Sequence, residues 1–329
     1  MFPDVAFRRV LAPFFLPGEA RIRYTLALLR GLRHLKPALI EVHAEPRIAL
    51  WLQRAFPGIP VVLFLHDDPS HVRIIRTREQ RVRLLERVAR VVTVSTWLRD
   101  RFMEGIEPGV RPPIVVLPGV DLAHLPASGS GVGSAERPLS QRRARLILFM
   151  GRLVAEKGAD LFVSACTSVL PRLAGWRAEI IGAAEHGPDS TETQYTRLLR
   201  ARADPAGIAL LGYRDHPDAM IALSRAAMLA IPGRQPEAGG RVALEAMANG
   251  AVVICPPEGA LPEIAGDAAF YCDPAHMADA IRSLAEDPAR LTELARRGRE
   301  RASMFDLPSV GRWLETVRAR VIAAGPPRL

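Results

Sequence analysis

The chain has 329 residues and a formal net charge of +9, with 49% hydrophobic and 24% charged residues. This composition excludes an intrinsically disordered chain, and the length suits two domains with separate cores. Three cysteines without a C-x-x-C pair exclude a disulfide framework and a zinc site and favour a cytoplasmic protein, and no apolar run reaches the roughly 18 to 20 residues of a spanning helix.

The first half of the chain alternates between helical and strand periodicity. Such alternation is typical of strands joined by crossover helices, which form a parallel sheet. We assign residues 1–125 to a first Rossmann-like domain. Its predicted elements are a helix at 21–35, a strand at 38–43, a helix at 47–56, a strand at 60–66, a helix at 78–88, a strand at 90–95, a helix at 97–102 and a strand at 114–117.

A stretch rich in Gly and Ser, residues 126–144, predicts a flexible linker. The alternation then returns in residues 145–305, the predicted second domain. Residues 306–329 are expected to form a terminal helix that packs back towards the first domain. The predicted fold class is α/β, with two doubly wound domains facing across a cleft. The second domain's predicted strands lie at 145–150, 178–181, 208–212, 228–231 and 252–255, and its helices at 160–170, 192–202, 217–225 and 240–248.

One loop with candidate ligand-binding residues is Met150-Gly-Arg-Leu-Val-Ala-Glu-Lys-Gly158, between a buried strand and a helix. Ligands bind at this carboxyl edge of open α/β sheets, where glycines let the backbone approach closely. Arg152 and Lys157 would place two cations on a diphosphate. The alternative is a surface turn with solvated charges.

A second candidate segment is Pro236-Glu-Ala-Gly-Gly-Arg-Val-Ala-Leu-Glu-Ala-Met-Ala-Asn-Gly250. Gly239 and Gly240 open a helix whose first amides lack intrahelical partners and therefore suit a phosphate. Glu237 in the loop and Glu245 on the helix would accept hydrogen bonds from two different sets of hydroxyls. For Glu245 the alternative is a salt bridge on the helix surface.

Together the two segments resemble family 4 of the retaining glycosyltransferases (glycosyl transferases group 1), which have the GT-B fold. The resemblance is close over residues 146–274, including Ala251–Glu263 and Gly266–Phe270. It implies transfer from a UDP-, GDP- or ADP-sugar with no cofactor and no obligatory metal, which agrees with the absence of an Asp-x-Asp motif in this sequence. It also implies a role in lipopolysaccharide, capsule or exopolysaccharide assembly in bacteria.

The resemblance gives each candidate residue a role. Arg152 and Lys157 would hold the donor diphosphate. Glu237 would bind hydroxyls of the donor sugar, and Glu245 would bind the ribose. Arg214 falls where the nucleobase usually packs, although a loop without ligand contacts is the alternative. The remaining donor-binding candidates are Gly151, Ala238, Gly239, Gly240, Arg241 and Val242.

The first half resembles the family more loosely. His66 ends a predicted strand and matches the histidine that family members place near the transferred sugar, so we count it as catalytic together with Arg152, Lys157 and Glu237. A structural role is the alternative for a histidine at a strand end. His43 is a second candidate for lining the acceptor side.

Three features depart from the family pattern. Members usually open with a strand and a Gly-rich loop, but here only Gly18 precedes Gly31, so we predict a shortened first domain. Pro118–Asp121 stands where the family often has Asn-Gly-Val-Asp, and Glu258–Ala260 stands where it often has paired glycines. Acceptor binding is more affected by these departures than donor binding.

The excess positive charge lies in the first half. Up to Arg145 there are 23 Lys and Arg against 13 Asp and Glu, and subtracting these from the totals of 44 and 35 leaves 21 against 22. Arginines surround the apolar positions of 72–87, and Arg8–Arg9 and Phe14–Phe15 precede them. A solvated helix face is one interpretation. We favour contact with anionic lipid at the inner face of the cytoplasmic membrane, which would present a lipid-linked acceptor.

The sequence therefore predicts a retaining glycosyltransferase that moves a sugar from a nucleotide-diphosphate sugar to a saccharide or lipid-linked acceptor. One alternative is a nucleotide-sugar epimerase or phosphorylase of the same architecture. Another is a non-catalytic nucleotide-sugar-binding subunit. A nucleic-acid partner is disfavoured because no zinc-finger, RNA-recognition or helix-turn-helix pattern accompanies the arginines.

Overall fold

The computed structural model describes residues 27–32, 35–126, 144–185, 187 and 189–327. Arg8–Arg9, Phe14–Phe15 and all but the ends of the predicted linker at 126–144 lie outside the described residues. Of the predicted helix at 21–35, the described residues 27–32 are helical. The chain divides into a first unit of Met1–Val94, Arg99–Val116 and Trp313–Leu329, and a second unit of Ser95–Leu98 and Leu117–Arg312.

The first unit is built on a parallel sheet of four strands in the order β1-β2-β3-β4. Strand β2 is buried along its whole length, as its uninterrupted apolar sequence Val-Val-Leu-Phe-Leu requires. A capping box between Thr77 and Gln80 fixes the start of helix α2. The elements are β1 (Ile40–His43), α1 (Pro46–Ala55), β2 (Val61–Leu65), α2 (Arg78–Arg87), β3 (Arg90–Thr93), α3 (Thr96–Met103) and β4 (Ile114–Val115).

The second unit contains a six-stranded parallel sheet in the order β10-β9-β8-β5-β6-β7. The chain runs outward from β5 in one direction and then returns to its other side at β8, so the topological switch point lies between β5 and β8. The strands are β5 (Leu146–Met150), β6 (Arg177–Ile181), β7 (Ala209–Leu210), β8 (Met228–Ala230), β9 (Val252–Cys255) and β10 (Phe270–Tyr271). The helices are α4 (Ala159–Val169), α5 (Gln194–Ala203), α6 (His216–Arg225), α7 (Arg241–Ala248), α8 (Leu261–Ala265), α9 (Met277–Glu286), α10 (Pro288–Ser303) and α11 (Leu307–Ala324).

Apolar side chains cover both faces of this second sheet. In β5, Ile147 and Phe149 pack into one buried cluster, whereas Leu146 and Leu148 pack into another. Successive side chains of a strand point to opposite faces, so a strand covered on both sides must be apolar at every position. The two parallel-sheet units confirm the predicted α/β class.

Helix α11 begins in the second unit and belongs to the first unit from Trp313 onward. In the first unit, the Trp313 indole donates to the carbonyl oxygen of Val115 at 3.1 Å. The Arg318 guanidinium donates to both carboxylate oxygens of Glu41 at 2.9 and 2.6 Å. Across the described ranges, no helix combines the length and apolarity needed to cross a bilayer.

Candidate donor-binding site

The loop after β5 is tied to the loop after β6 at the carboxyl edge of the second sheet. The Gly151 amide donates to the Ile181 carbonyl oxygen at 3.1 Å, and the Leu153 amide donates to the Ala183 carbonyl oxygen at 2.8 Å. Gly182 has a φ of +146°, and a Cβ there would overlap the Gly151 carbonyl oxygen. Glycine at 182 therefore lets the two loops touch, a requirement that the sequence analysis did not identify.

Lys157 lies on a single turn of 3-10 helix, Ala155–Lys157, that Gly158 ends in the left-handed conformation with a φ of +71°. A Cβ at Gly158 would overlap the carbonyl oxygen of Pro232, which follows β8. The turn that carries Lys157 therefore packs against the loop after β8, on the other side of the switch point. This close approach brings Lys157 next to residues that are distant in sequence.

Arg234 holds this turn through two hydrogen bonds and the start of the following helix, α4, through two more. Its backbone amide donates to the Glu156 carbonyl oxygen at 2.9 Å, and its Nη1 donates to the Ala155 carbonyl oxygen at 2.7 Å. Its guanidinium also binds both carboxylate oxygens of Asp160, at 2.8 and 2.6 Å. This pairing, together with a hydrogen bond from Tyr195, lowers the pKa of Asp160 to about 2. Arg234 is therefore a positioning residue for Lys157.

Glu237 receives a hydrogen bond from the Nζ atom of Lys157, so the structure brings together two of the predicted site residues. The two side chains are 32% and 22% exposed, which leaves the pair accessible to a ligand. The Glu237 backbone is held by Ala260, whose amide donates to its carbonyl oxygen at 2.7 Å. Gly259 lies against the same carbonyl and has a φ of +67°. One glycine therefore lets the two backbone segments come close here, where the family often has paired glycines.

Helix α7 begins at Gly240, which has a φ of +63° and caps the helix without a side-chain hydrogen bond. Gly239 and Val242 are partly buried beside it. The Ala238 carbonyl oxygen accepts a hydrogen bond from the Ser95 hydroxyl at 2.6 Å. Because the first amides of a helix have no intrahelical acceptors, this end of α7 offers N–H groups and a partial positive charge to an anion.

Glu245 lies one turn into α7, and its side chain is only 8% exposed. Its Oε1 atom accepts from Arg241 Nε at 2.9 Å and lies 3.2 Å from His216 Nε2. The carboxylate is thus a buried acceptor between two largely exposed groups, and its contact with Arg241 is an i,i+4 salt bridge of the kind named as the alternative. The sequence analysis missed His216, because it lies on a different helix and has no local motif.

Two further candidate cations, Arg152 and Arg214, lie at exposed loop positions. Arg152 is exposed and has no acidic partner in the part of the chain that the structure describes. Arg214 is exposed, and its Nη1 donates to the Tyr213 carbonyl oxygen at 3.1 Å. Their predicted contacts with the diphosphate and the nucleobase remain predictions.

His66, the candidate in the first unit, follows the last residue of β2 and contacts His43 at the end of β1. His43 Nδ1 lies 3.1 Å from His66 Nε2, and the His43 ring stacks on Phe64 with a centroid distance of 4.5 Å. Partial burial lowers the pKa of both histidines, and for His66 the neighbouring His43 lowers it further. The lowered pKa favours the neutral form of both rings, and the two nitrogens lie at hydrogen-bond distance, with the donor set by the tautomers.

Metal ligands are not clustered in the described ranges, where no three His, Cys, Asp or Glu side chains group to hold an ion.

Comparisons with known proteins identify the family. The model of glycosyl transferases group 1 matches residues 135–301, and that of Glycosyltransferase Family 4 matches residues 3–124. A glycogen synthase from Mycobacterium tuberculosis is 30% identical over 318 residues, which cover 89% of this chain and 72% of that protein. A D-inositol 3-phosphate glycosyltransferase from Corynebacterium aurimucosum is 26% identical over 300 residues, covering 84% and 70%. The crystal structure of Anabaena Alr3699/HepE in complex with UDP-glucose superposes with a TM-score of 0.74 at 20% identity, covering 90% of this chain and 82% of that chain.

The two parallel α/β units and the likeness to this solved structure show the GT-B fold. The chain belongs to the glycosyl transferases group 1 family, and its first half matches Glycosyltransferase Family 4. The predicted family and the predicted transferase activity are thereby confirmed. Retention of configuration, the acceptor and the class of glycan remain predictions.

Proposed function

We propose that the second unit binds a nucleotide-diphosphate sugar and that the chain transfers its sugar, with retention of configuration, to a saccharide or lipid-linked acceptor in cell-surface glycan synthesis. The observation that carries the donor assignment is the contact between Lys157 and Glu237 beside the amide end of α7. A cation, a hydroxyl acceptor and free helix amides are what a sugar diphosphate requires. The solved relative bound to UDP-glucose supports the same ligand class.

The departing diphosphate develops negative charge as the bond to the sugar breaks. Lys157 and the first amides of α7 supply positive potential at this point, and Arg152 provides a second, exposed cation on the same loop as Lys157. Preorganised groups of this kind are commonly the largest contribution to lowering such a barrier. In this mechanism the acceptor hydroxyl attacks on the face from which the diphosphate leaves, and no nucleophile of the enzyme takes part.

The two glutamates bind different parts of the rest of the donor. Glu237 binds hydroxyls of the donor sugar, and its hydrogen bond with Lys157 orients the carboxylate beside the phosphates. Glu245 accepts from the ribose hydroxyls, with Arg241 and His216 already oriented towards the same carboxylate. Arg214 contributes to the nucleobase side.

His66 is proposed to contact the transferred sugar, as the family resemblance implies. Its neutral ring donates or accepts one hydrogen bond without placing a second positive charge near the developing cation of the sugar. The basic first half is proposed to rest on anionic lipid at the inner face of the cytoplasmic membrane, where a lipid-linked acceptor is presented.

A thermal-shift screen of UDP, GDP and ADP and their sugar conjugates tests donor binding, because a ligand bound only by the folded state raises its apparent stability. Lys157→Gln and Glu245→Ala are each expected to remove most of the shift. Arg282→Ala is the matched control, because it removes a cation that pairs on the surface with Asp279. Unchanged stabilisation in both site variants would exclude the proposed donor site.

Product analysis separates the competing activities once a donor is known. Transfer to an acceptor with an unchanged anomeric configuration supports the proposal. Turnover of the nucleotide sugar without any acceptor would instead identify an epimerase or a phosphorylase. Donor binding without turnover, across saccharide and lipid-linked acceptors, would identify a binding subunit.

A further inference from the structure

A cavity of about 340 Å³ opens in the first unit at the amino end of β3. Arg90, the first residue of β3, lines it together with Glu86 from the end of α2. The opposite wall is formed by Arg111 and by Gly325–Pro327, which follow α11. The cavity thus lies at the edge of the first unit's sheet opposite to the edge where His66 follows β2.

The Arg90 guanidinium has a buried N–H group that no described residue satisfies. Its Nε atom is buried without a hydrogen-bond partner, and in the described part of the chain the group forms no ion pair. Arg81 offers a comparison, because its Nε is also unpartnered, but its terminal nitrogens donate to the carbonyl oxygens of Arg76 and Glu104 at 2.9 and 2.6 Å. Among the residues that the structure describes, no carbonyl oxygen accepts a hydrogen bond from the Arg90 side chain.

The surroundings of Arg90 also disfavour its positive charge. Burial lowers the pKa of Arg90 to about 10, and the neighbouring Arg111 acts in the same direction. Glu86 lines the cavity but is exposed, and it is not among the charges that act on Arg90. A buried donor without an acceptor costs free energy, and such a group in a native structure calls for a bound ion, water or ligand.

We propose that this cavity binds a phosphate monoester, with Arg90 and Arg111 donating to its oxygens. A guanidinium presents its N–H groups in a planar fork that matches an oxyanion, and two arginines around one cavity supply the charge that a phosphate dianion neutralises. The apolar wall of Gly325–Pro327 leaves room for the carbon end of the ester. A soluble phosphate ester and a lipid headgroup share this chemistry.

Binding is measured by calorimetry with glycerol 3-phosphate at constant ionic strength, in the Lys157→Gln background so that the proposed donor site does not contribute. Arg90→Gln and Arg111→Gln are each expected to raise the dissociation constant at least about tenfold, the factor that about 1.4 kcal/mol of lost charged hydrogen bonding produces. Arg83→Gln, on the exposed face of α2, removes the same charge outside the cavity and should leave binding unchanged.

Two further measurements complete the test. Without ligand, Arg90→Gln should melt at the same temperature as its parent or higher, because it removes an unpaired charge. Flotation with phosphatidylcholine vesicles, with and without phosphatidic acid, distinguishes the sources: loss of binding to phosphatidic acid in the variants identifies a lipid headgroup, and binding to glycerol 3-phosphate alone identifies a soluble ester. No binding by the parent, or unchanged binding in both variants, overturns the proposal, whatever the donor screen shows.

Discussion

Replacing Arg234 with glutamine tests whether the turn that carries Lys157 is held from across the switch point. The substitution removes one hydrogen bond to Ala155 and two to Asp160. Charged hydrogen bonds contribute about 1.5 to 3 kcal/mol when buried, and exposed ion pairs about 0.2 to 1. Because the Arg234 side chain is 40% exposed and Asp160 24%, we expect solvent screening to limit the lost free energy of unfolding to about 1 to 2 kcal/mol.

Donor affinity should fall with stability in this variant. Lys157 and Glu237 are unchanged, but the turn that orients Lys157 loses its anchor. We expect a dissociation constant for the nucleotide sugar about 5 to 10 times higher, which corresponds to about 1 kcal/mol or slightly more. Calorimetric titration and urea unfolding at neutral pH measure the two effects.

The pH dependence gives an independent measure of the same interaction. The folded-state pKa of Asp160 is about 2, below its ordinary value of 3.8, so its contribution is present above about pH 4 and is lost as the pH falls towards 2. In Arg234→Gln that pKa rises towards the ordinary value. The free energy of unfolding should then depend less on pH within this window.

Tyr195→Phe is the matched control for Arg234→Gln. It removes another hydrogen bond to Asp160 but none to the turn that carries Lys157. We expect some loss of stability and unchanged donor affinity. Donor affinity equal to wild type in Arg234→Gln, or an equal loss in both variants, would refute the positioning role of Arg234.

Two other predictions concern backbone and histidine contacts. Gly158→Ala should destabilise the fold by about 3 kcal/mol or more, because it adds an overlap with Pro232 to an unfavourable φ, whereas Gly207→Ala, with a φ of +69° and open space, should cost only about 1 kcal/mol in urea unfolding. His43→Phe should raise the pKa of His66 towards its ordinary value of 6.5, as followed by NMR titration, because burial and the His43 contact both lower it in the wild type.

The stability of the wild type should also respond to the histidine pair. A histidine whose pKa is lowered by folding is protonated more readily in the unfolded chain, so the free energy of unfolding falls as the pH drops below about 6.5. This dependence should weaken in His43→Phe. An unchanged His66 titration would contradict the contact between the rings, and equal costs for the two glycine substitutions would contradict the overlap at Pro232.

The alternation of strands and helices can be predicted from the residues alone. The same is true of the two loops of the candidate donor site. In β5, Ile147 and Phe149 alternate with Leu146 and Leu148. The residues of this strand therefore show by themselves that both of its faces are apolar. The terminal strand β10 is different, because two residues, Phe270–Tyr271, are too short to show a period. Its existence depends on pairing with β9.

Which residues are in contact at the site could be learned only from the folded chain. Arg234 and Asp160 are 74 positions apart, and His43 and His66 are 23 apart, so no local pattern links either pair. Gly182 shows the same limit, because its need for glycine arises from a carbonyl of another loop. The spacing of apolar residues predicts which face of a helix or strand is buried. Contacts between loops depend instead on which strands are neighbours in the sheet.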